Sequence, residues 1–292
     1  MYPAEFDYLA PSNLQEAVEL LRQWGEEARV LAGGQSLIPL MKLRLARPKY
    51  LIDLNRIPGL SYIKEQDGWL LIGALTRHAE IEASPLVRER IPLMHEAVRL
   101  LGDYQVRNLG TLAGALVEAD PAGDWSPVIL ALNGKVRCVG SGGEREIEAK
   151  DFFTFAYSTA LEPDELVKEI AVPLPIKPRS AAYIKLERVA GDFAVVSIAV
   201  QADIDKDGVC RDIGIGLGGA HECPMKAVAV EAMLRGHRLS PELVVRASEK
   251  IEEIASPIGD LRGTPEYKKE VLKVIFRRAL ERVRDQRGTD EV

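Results

Sequence analysis

Cysteine is scarce in this sequence. The 292 residues include three, Cys138, Cys210 and Cys223, an odd number at wide spacing with no CxxC pair. Such a count argues against a disulfide framework and fits a reducing, cytoplasmic setting. An iron–sulfur cluster normally takes four thiolates, so none is expected on this chain alone. Long apolar runs are also missing, and none approaches the ~20 residues that cross a bilayer. The first residues, "MYPAEFDYLAPS", lack the basic and apolar regions of a signal peptide. Positive charge is not in excess either. The formal net charge is −6, which argues against the basic face of a nucleic-acid binder. A GxSxG elbow is absent, and the glycine turn at 33–36 matches neither the Walker spacing nor a GxGxxG fingerprint.

What is present is glycine in telling places. In "VLAGGQSLIPLMKLRLARP" a short apolar run ends at Gly33 and Gly34, and a helical spacing follows. Two glycines after a strand allow positive φ and close backbone approach. Ser36 is placed to cap a helix beginning at Leu37, with Pro39 in its first turn, where a missing N–H costs nothing. The amides of Gly34, Gln35, Ser36 and Leu37 would then converge on one point, as at a phosphate site. A plain strand–helix turn explains the same residues, and locally the two readings stand side by side.

The rest of the chain reads as mixed α and β structure. Residues 12–25 carry a cap, an apolar face and a terminating Gly25, so a helix is expected there. Strands are expected at "ARVL" and "YLIDL", with hairpins around "QDG" and "GSGG". Helices are expected at about 77–83 and 85–101. Another, in "SPVILALNG", would be capped by Ser126 with Pro127 at its first position. Three prolines in "VPLPIKPRSA" suggest a domain boundary. Beyond it come three strand-like runs and then three helical segments, the order of an α+β domain with a three-stranded antiparallel sheet. "DIDKDG" at 203–208 opens like a calcium loop, but Gly214 stands where a bidentate Glu is needed, so a hairpin turn is expected. His221 and Cys223 are too few for a metal site.

A second small-residue stretch would let a flat or extended ligand lie against the backbone, though by itself an alanine-rich buried helix explains it better. "GTLAGALVEADPAGD" contains Gly110, Ala113, Gly114 and Ala115, with Thr111 offering a hydroxyl and Asp120 and Asp124 offering carboxylates. Together with Ala32-Gly33-Gly34-Gln35-Ser36-Leu37, "VRNLGTLAG", "ADPAGD", "DFF" and "YIKLERVAGDFAVV", it resembles the FAD-binding subunit of the molybdenum hydroxylases. This is the family of the carbon monoxide dehydrogenase medium subunit and the xanthine dehydrogenase flavin domain.

The resemblance implies a bilobed flavin domain of the type shared with vanillyl-alcohol oxidase-like flavoproteins. It would span residues 1–175, with lobes of about 1–55 and 56–175. A C-terminal α+β domain would span 176–287, with a frayed tail at 288–292. It further implies that residues Ala32 to Leu37 bind the FAD pyrophosphate and that Thr111, Ala113, Gly114 and Ala115 line the second wall. Asp124 would accept a hydrogen bond from the ribityl chain or ring, Lys185 would lie near the flavin, and Phe193 would cover the ring. Partners would be a small iron–sulfur subunit and a large molybdopterin subunit, in a dimer of heterotrimers. No acid–base residue is assigned. The family's Thr-Ile-Gly-Gly-Asn is here Thr111-Leu112-Ala113-Gly114-Ala115, so the side-chain bonds of the asparagine are gone. His78 lies in "GALTRH", a stretch the family shares, as a cofactor neighbour or a satisfied core histidine. A free-standing flavin oxidoreductase and an assembly subunit without FAD are the alternatives.

Overall fold

The computed structural model describes residues 2–177 and 179–286. The chain opens with β1 (Asp7–Leu9), α1 (Leu14–Trp24), β2 (Ala28–Leu31), α2 (Leu37–Lys42) and β3 (Tyr50–Asp53). The three strands form a parallel sheet in the order β1-β3-β2, and the helices serve as the crossovers that parallel strands require. In α1 the Asn13 side chain accepts from the Glu16 N–H at 2.9 Å, and Gly25 ends the helix at φ +49. Ala17, Val18 and Leu21 turn inward onto Ile52 and Leu54. The strand β1 was not expected from the sequence, since three residues are too few to show alternation.

A five-stranded antiparallel sheet follows. It is built from β4 (Ile63–Gln66), β5 (Trp69–Gly73) and, after six helices, three later strands. The helices are α3 (His78–Ala83), α4 (Pro85–Arg90), α5 (Pro92–Val98), α6 (Tyr104–Leu109), α7 (Leu112–Glu118) and α8 (Trp125–Ala131). Then come β6 (Lys135–Gly140), β7 (Gly143–Glu148), α9 (Ala149–Phe152), a small hairpin of β8 (Phe153–Phe155) and β9 (Ser158–Thr159), and β10 (Leu166–Pro173). The sheet order is β4-β5-β10-β6-β7. Both expected hairpins are present, and Asp67 and Gly68 have the positive φ values of a two-residue turn. Two expectations are corrected. The helix expected over 85–101 is two helices, because Pro92 cannot donate to the turn before it and holds Ile91 at φ −133. The helix expected from Ser126 starts one residue earlier, at Trp125, so Ser126 does not cap it.

The last sheet contains β11 (Ser180–Leu186), β12 (Val196–Ile204), β13 (Cys210–Gly218) and β14 (Met225–Lys226). The two-residue β14 makes four strands where the sequence suggests three. The "DKDG" turn joins β12 and β13, with the Asp205 carboxylate accepting from the Asp207 and Val209 amides. The helices α10 (Val228–Leu234), α11 (Pro241–Ile254) and α12 (Pro265–Asp285) cover one face. Ala182, Ile198, Val200, Ile213, Ile215 and Leu217 point into that core. The tail expected at 288–292 lies outside the described residues.

The other face of this sheet receives α8. Residues 214, 216 and 218 alternate as glycines on β13, which strips one face of side chains. A Cβ at Gly216 would come 2.6 Å from the Pro127 carbonyl carbon, and one at Gly214 would come 2.9 Å from that of Ala131. The helix therefore lies against bare backbone, and all seven of its residues are buried. It is held at both ends. Tyr183 and Lys185 bind Asp124 before its first turn, and Lys226 donates to the Leu130 carbonyl at 3.0 Å near its last. A cation suits the carbonyl end of a helix and an anion the amide end.

The seam predicts the effect of one methyl group. Gly216→Ala should lower stability by about 1–3 kcal/mol or more, because backbone on both sides of the contact must move. Gly142→Ala, where nothing lies within 4 Å, should leave the chemical-denaturation midpoint near that of the parent. Equal midpoints for the two variants would contradict this account of the seam.

Candidate functional site

The first glycine loop leaves β2 and enters α2. Gly34 has φ +71, in the left-handed region that favours glycine. Gly33 is glycine for a different reason. A Cβ there would come 2.7 Å from the Gly110 Cα and 2.9 Å from the Leu109 carbonyl carbon. The first loop is thus pressed, backbone on backbone, against the entrance to the second. Ser36 begins the helix as expected but does not cap it. Its own backbone is already helical, at φ −102 and ψ −52, and its side chain makes no capping bond. The turn closes instead through Ile38 N–H to the Gly34 carbonyl at 3.1 Å. Among the described residues, the N–H groups of Gly34, Gln35, Ser36 and Leu37 find no protein acceptor.

The second loop is held by β-type contacts to residues 76–78. His78 N–H donates to the Gly110 carbonyl at 3.0 Å, and Leu112 N–H to that of Thr76 at 3.4 Å. Thr111 caps α7, its hydroxyl accepting from the Gly114 N–H at 3.1 Å. The N–H groups of Thr111 and Ala113 have no protein acceptor among the described residues. A Cβ on Gly114 would lie 2.7 Å from the Thr111 hydroxyl oxygen and 4.0 Å from the Ala32 Cβ, so a side chain there would reach toward the first motif. Ala113 is buried and Ala115 half-buried, with no polar side chain at either position. Two side chains passed over in the sequence, Asn55 and Arg77, bridge the loops. Asn55 holds the Ala32 carbonyl at 2.8 Å, and Arg77 binds both Asn55 and the Leu109 carbonyl.

The other candidates gather at the amide end of α8. The Tyr183 hydroxyl donates to the Asp124 carboxylate at 2.6 Å, and the Lys185 ammonium lies 3.1 Å from it. Lys185 also meets Glu187 at 3.0 Å and donates to the carbonyls of Leu100 and Asp192. Its side chain is 1% exposed and that of Asp124 8%. Burial pushes the Asp124 carboxyl upward, against the opposing pull of Lys185 and Tyr183. Asp124 and Lys185 therefore face each other more than the solvent. Phe193 stands apart from them, exposed, with the Arg262 guanidinium 5.6 Å from its ring centre. Tyr183 was not singled out in the sequence. Its signal, an aromatic in an otherwise Ala-rich strand, is too common to read.

His78 is a buried core residue that also touches the second loop. Its Nδ1 accepts from the Trp125 indole at 3.1 Å, and a Cβ at Gly110 would fall 2.8 Å from its ring. A 460 Å³ cleft lies elsewhere, on the outer face of the five-stranded sheet. Tyr62, Arg137 and Glu169 line it and bond one another at 2.5 and 2.6 Å, so these three groups already satisfy one another. Among the described residues no three His, Cys, Asp or Glu side chains come together as metal ligands. No described helix is long and apolar enough to cross a membrane.

Comparison with known proteins gives matches along nearly the whole chain. The family model for the FAD binding domain in molybdopterin dehydrogenase matches residues 4–175. That for the CO dehydrogenase flavoprotein C-terminal domain matches residues 181–283. The chain is 40% identical to the glyceraldehyde dehydrogenase medium chain of Sulfolobus acidocaldarius over 97% of its own length and 100% of that protein's. It is 37% identical to the carbon monoxide dehydrogenase medium chain of Afipia carboxidovorans, over 97% and 98%. A crystal structure of the Cu,Mo-CO dehydrogenase in its cyanide-inactivated form contains a chain that superposes with a TM-score of 0.95 at 36% identity, covering 98% of this chain and 99% of that one.

The buried imidazole predicts a pH dependence. Burial first, and then the charges of Arg77 and Arg107, lower the His78 pKa from 6.5 to about 3. Below the unfolded value the unfolded chain takes up a proton that the folded one does not. Stability should fall as pH drops from the unfolded value toward the folded one, by at most about 1.4 kcal/mol per unit from this group. His78→Gln keeps an acceptor for the Trp125 indole and should flatten that part of the slope in urea unfolding. An unchanged slope would show that His78 does not carry it.

Proposed function

We propose that this chain, which belongs to the family of FAD-binding medium subunits of molybdenum hydroxylases, binds FAD and passes electrons from a partner iron–sulfur subunit to an external acceptor. The observation that carries the reading is the meeting of the two glycine loops. Among the described residues, four amides of residues 34–37 and two of the second loop lack protein acceptors, while Gly33 and Gly114 keep side chains out of the junction between the loops. Free amides at the start of a helix suit a pyrophosphate, which is all acceptor. Bound there, FAD would supply the exchange of one or two electrons, and the chain would supply position and electrostatics.

On this reading residues Ala32 to Leu37 and Thr111 to Ala115 hold the cofactor through backbone. The absence of a polar side chain at Ala113 and Ala115 is compatible with that. Asp124 and Lys185 support the site from the seam with the last sheet, and Phe193 lies at its exposed side. The flavin part takes residues 1–175 in its two lobes, and the α+β part takes 176–287. A small iron–sulfur subunit and a large molybdopterin subunit complete the complex, as a dimer of heterotrimers in the cytoplasm. Three unpaired cysteines fit both that compartment and the need for a separate iron–sulfur protein. Relatives of similar identity serve glyceraldehyde and carbon monoxide dehydrogenases, so substrate choice is assigned to the molybdenum subunit.

The purified chain should be yellow and release stoichiometric FAD on denaturation. Coexpression with its two partner subunits should yield a complex that reduces an electron acceptor. Gly34→Val puts a β-branched residue at a left-handed position and should weaken FAD binding roughly tenfold or more. A folded parent chain that neither carries nor takes up FAD would end this reading.

A further inference from the structure

We propose that Asn55 and Arg77 form a two-residue clamp that sets the spacing of the two flavin-binding loops, so that FAD affinity depends on their bridge. The inference rests on the flavin reading above and adds two positioning residues to it.

The clamp starts from a fixed base. The Tyr8 hydroxyl donates to Asp53 Oδ2 at 2.6 Å, and Asp53 Oδ1 accepts from the Asn55 backbone at 2.9 Å and its Nδ2 at 2.6 Å. This fixes which way the Asn55 amide points. Its Nδ2 faces two acceptors, Asp53 and the Ala32 carbonyl at 2.8 Å, and its Oδ1 faces the Arg77 Nη2 at 2.6 Å. Arg77 carries the bridge onward, its Nη1 donating to the Leu109 carbonyl. Its backbone is pinned at the head of α3, where its N–H donates to Glu80 at 2.7 Å. The path therefore runs from Ala32, in the first loop, to Leu109, at the entrance to the second. These are the segments that meet at Gly33.

The chemistry suits a spacer. A guanidinium offers two donors in one plane at a fixed separation, and an ammonium does not. Asn55 is exposed and Arg77 only half-buried, so neither contributes much core. Their bonds instead tie together two carbonyls on different loops. Without the bridge those loops keep the backbone contact of Gly33 with Leu109 and Gly110, which is not directional.

The test is titration of FAD into the full apo chain, with apo melting measured in parallel. Asn55→Ala and Arg77→Gln should each weaken FAD binding about tenfold, as loss of a bridging hydrogen bond implies. Apo melting should move little. The double variant should be about as weak as the weaker single, because both act through one bridge. Arg77→Lys keeps the charge and should fail like Arg77→Gln. Normal affinity in Arg77→Lys, or losses that multiply in the double variant, would overturn the clamp. So would singles that bind FAD like the parent. Should Asn55→Ala not fold, the two Arg77 variants decide the matter. A parent chain that takes up no FAD would instead bring down the flavin reading, and the clamp with it.

Discussion

Backbone meets backbone at a few places in this protein where a single methyl group could not fit, and the site depends on them. The glycines of β13 let α8 lie flat on the last sheet. Asp124, just before that helix, is locked by Tyr183 and Lys185, and Leu130, near its end, by Lys226. Trp125, at the head of the same helix, holds His78, and His78 holds the Gly110 carbonyl. Gly110 in turn lies against Gly33. Position is therefore passed from the last sheet toward the first glycine loop through a short series of hydrogen bonds that ends in the Gly110–Gly33 backbone contact. Each step removes freedom that a ligand would otherwise have to remove on binding.

The charge pattern follows the same logic. Buried carboxylate and ammonium meet as a hydrogen-bonded set at the base of the site, where isolation of either would be costly. The loops themselves carry uncharged donors, the backbone amides that find no protein acceptor among the described residues. Orphan amides are a cost in an empty cleft and an advantage when an anion fills it. A neutral His78 beside Gly110 adds no charge that would vary near neutral pH.

Much of this is legible in the sequence, and the rest is missing for identifiable reasons. The helix from Asn13, the two tight hairpins and the strands-then-helices order at the end all follow from local rules of capping, turn chemistry and periodicity. The two glycine loops stand out for the same reason. What sequence could not show is what depends on distance in the chain. Gly33 looks like a turn residue but serves a contact with residues 109–110. Asp124 looks like a free acceptor but is held by two residues some sixty positions later. The alternating glycines of β13 were visible, yet their meaning depends on which helix lies against them. The strand β10, central to the five-stranded sheet, was not assigned because its buried run lacks alternation. Asn55 and Arg77 belong to no motif and become notable only when the loops are seen together.

Hydrogen–deuterium exchange of the full chain, with and without FAD, tests the central claim most directly. The account predicts that FAD slows exchange at residues 33–38 and 110–115 and leaves the outer face of the five-stranded sheet, around residues 137–146, unchanged. Protection confined to that sheet face, or binding of FAD with no protection at either glycine loop, would contradict it.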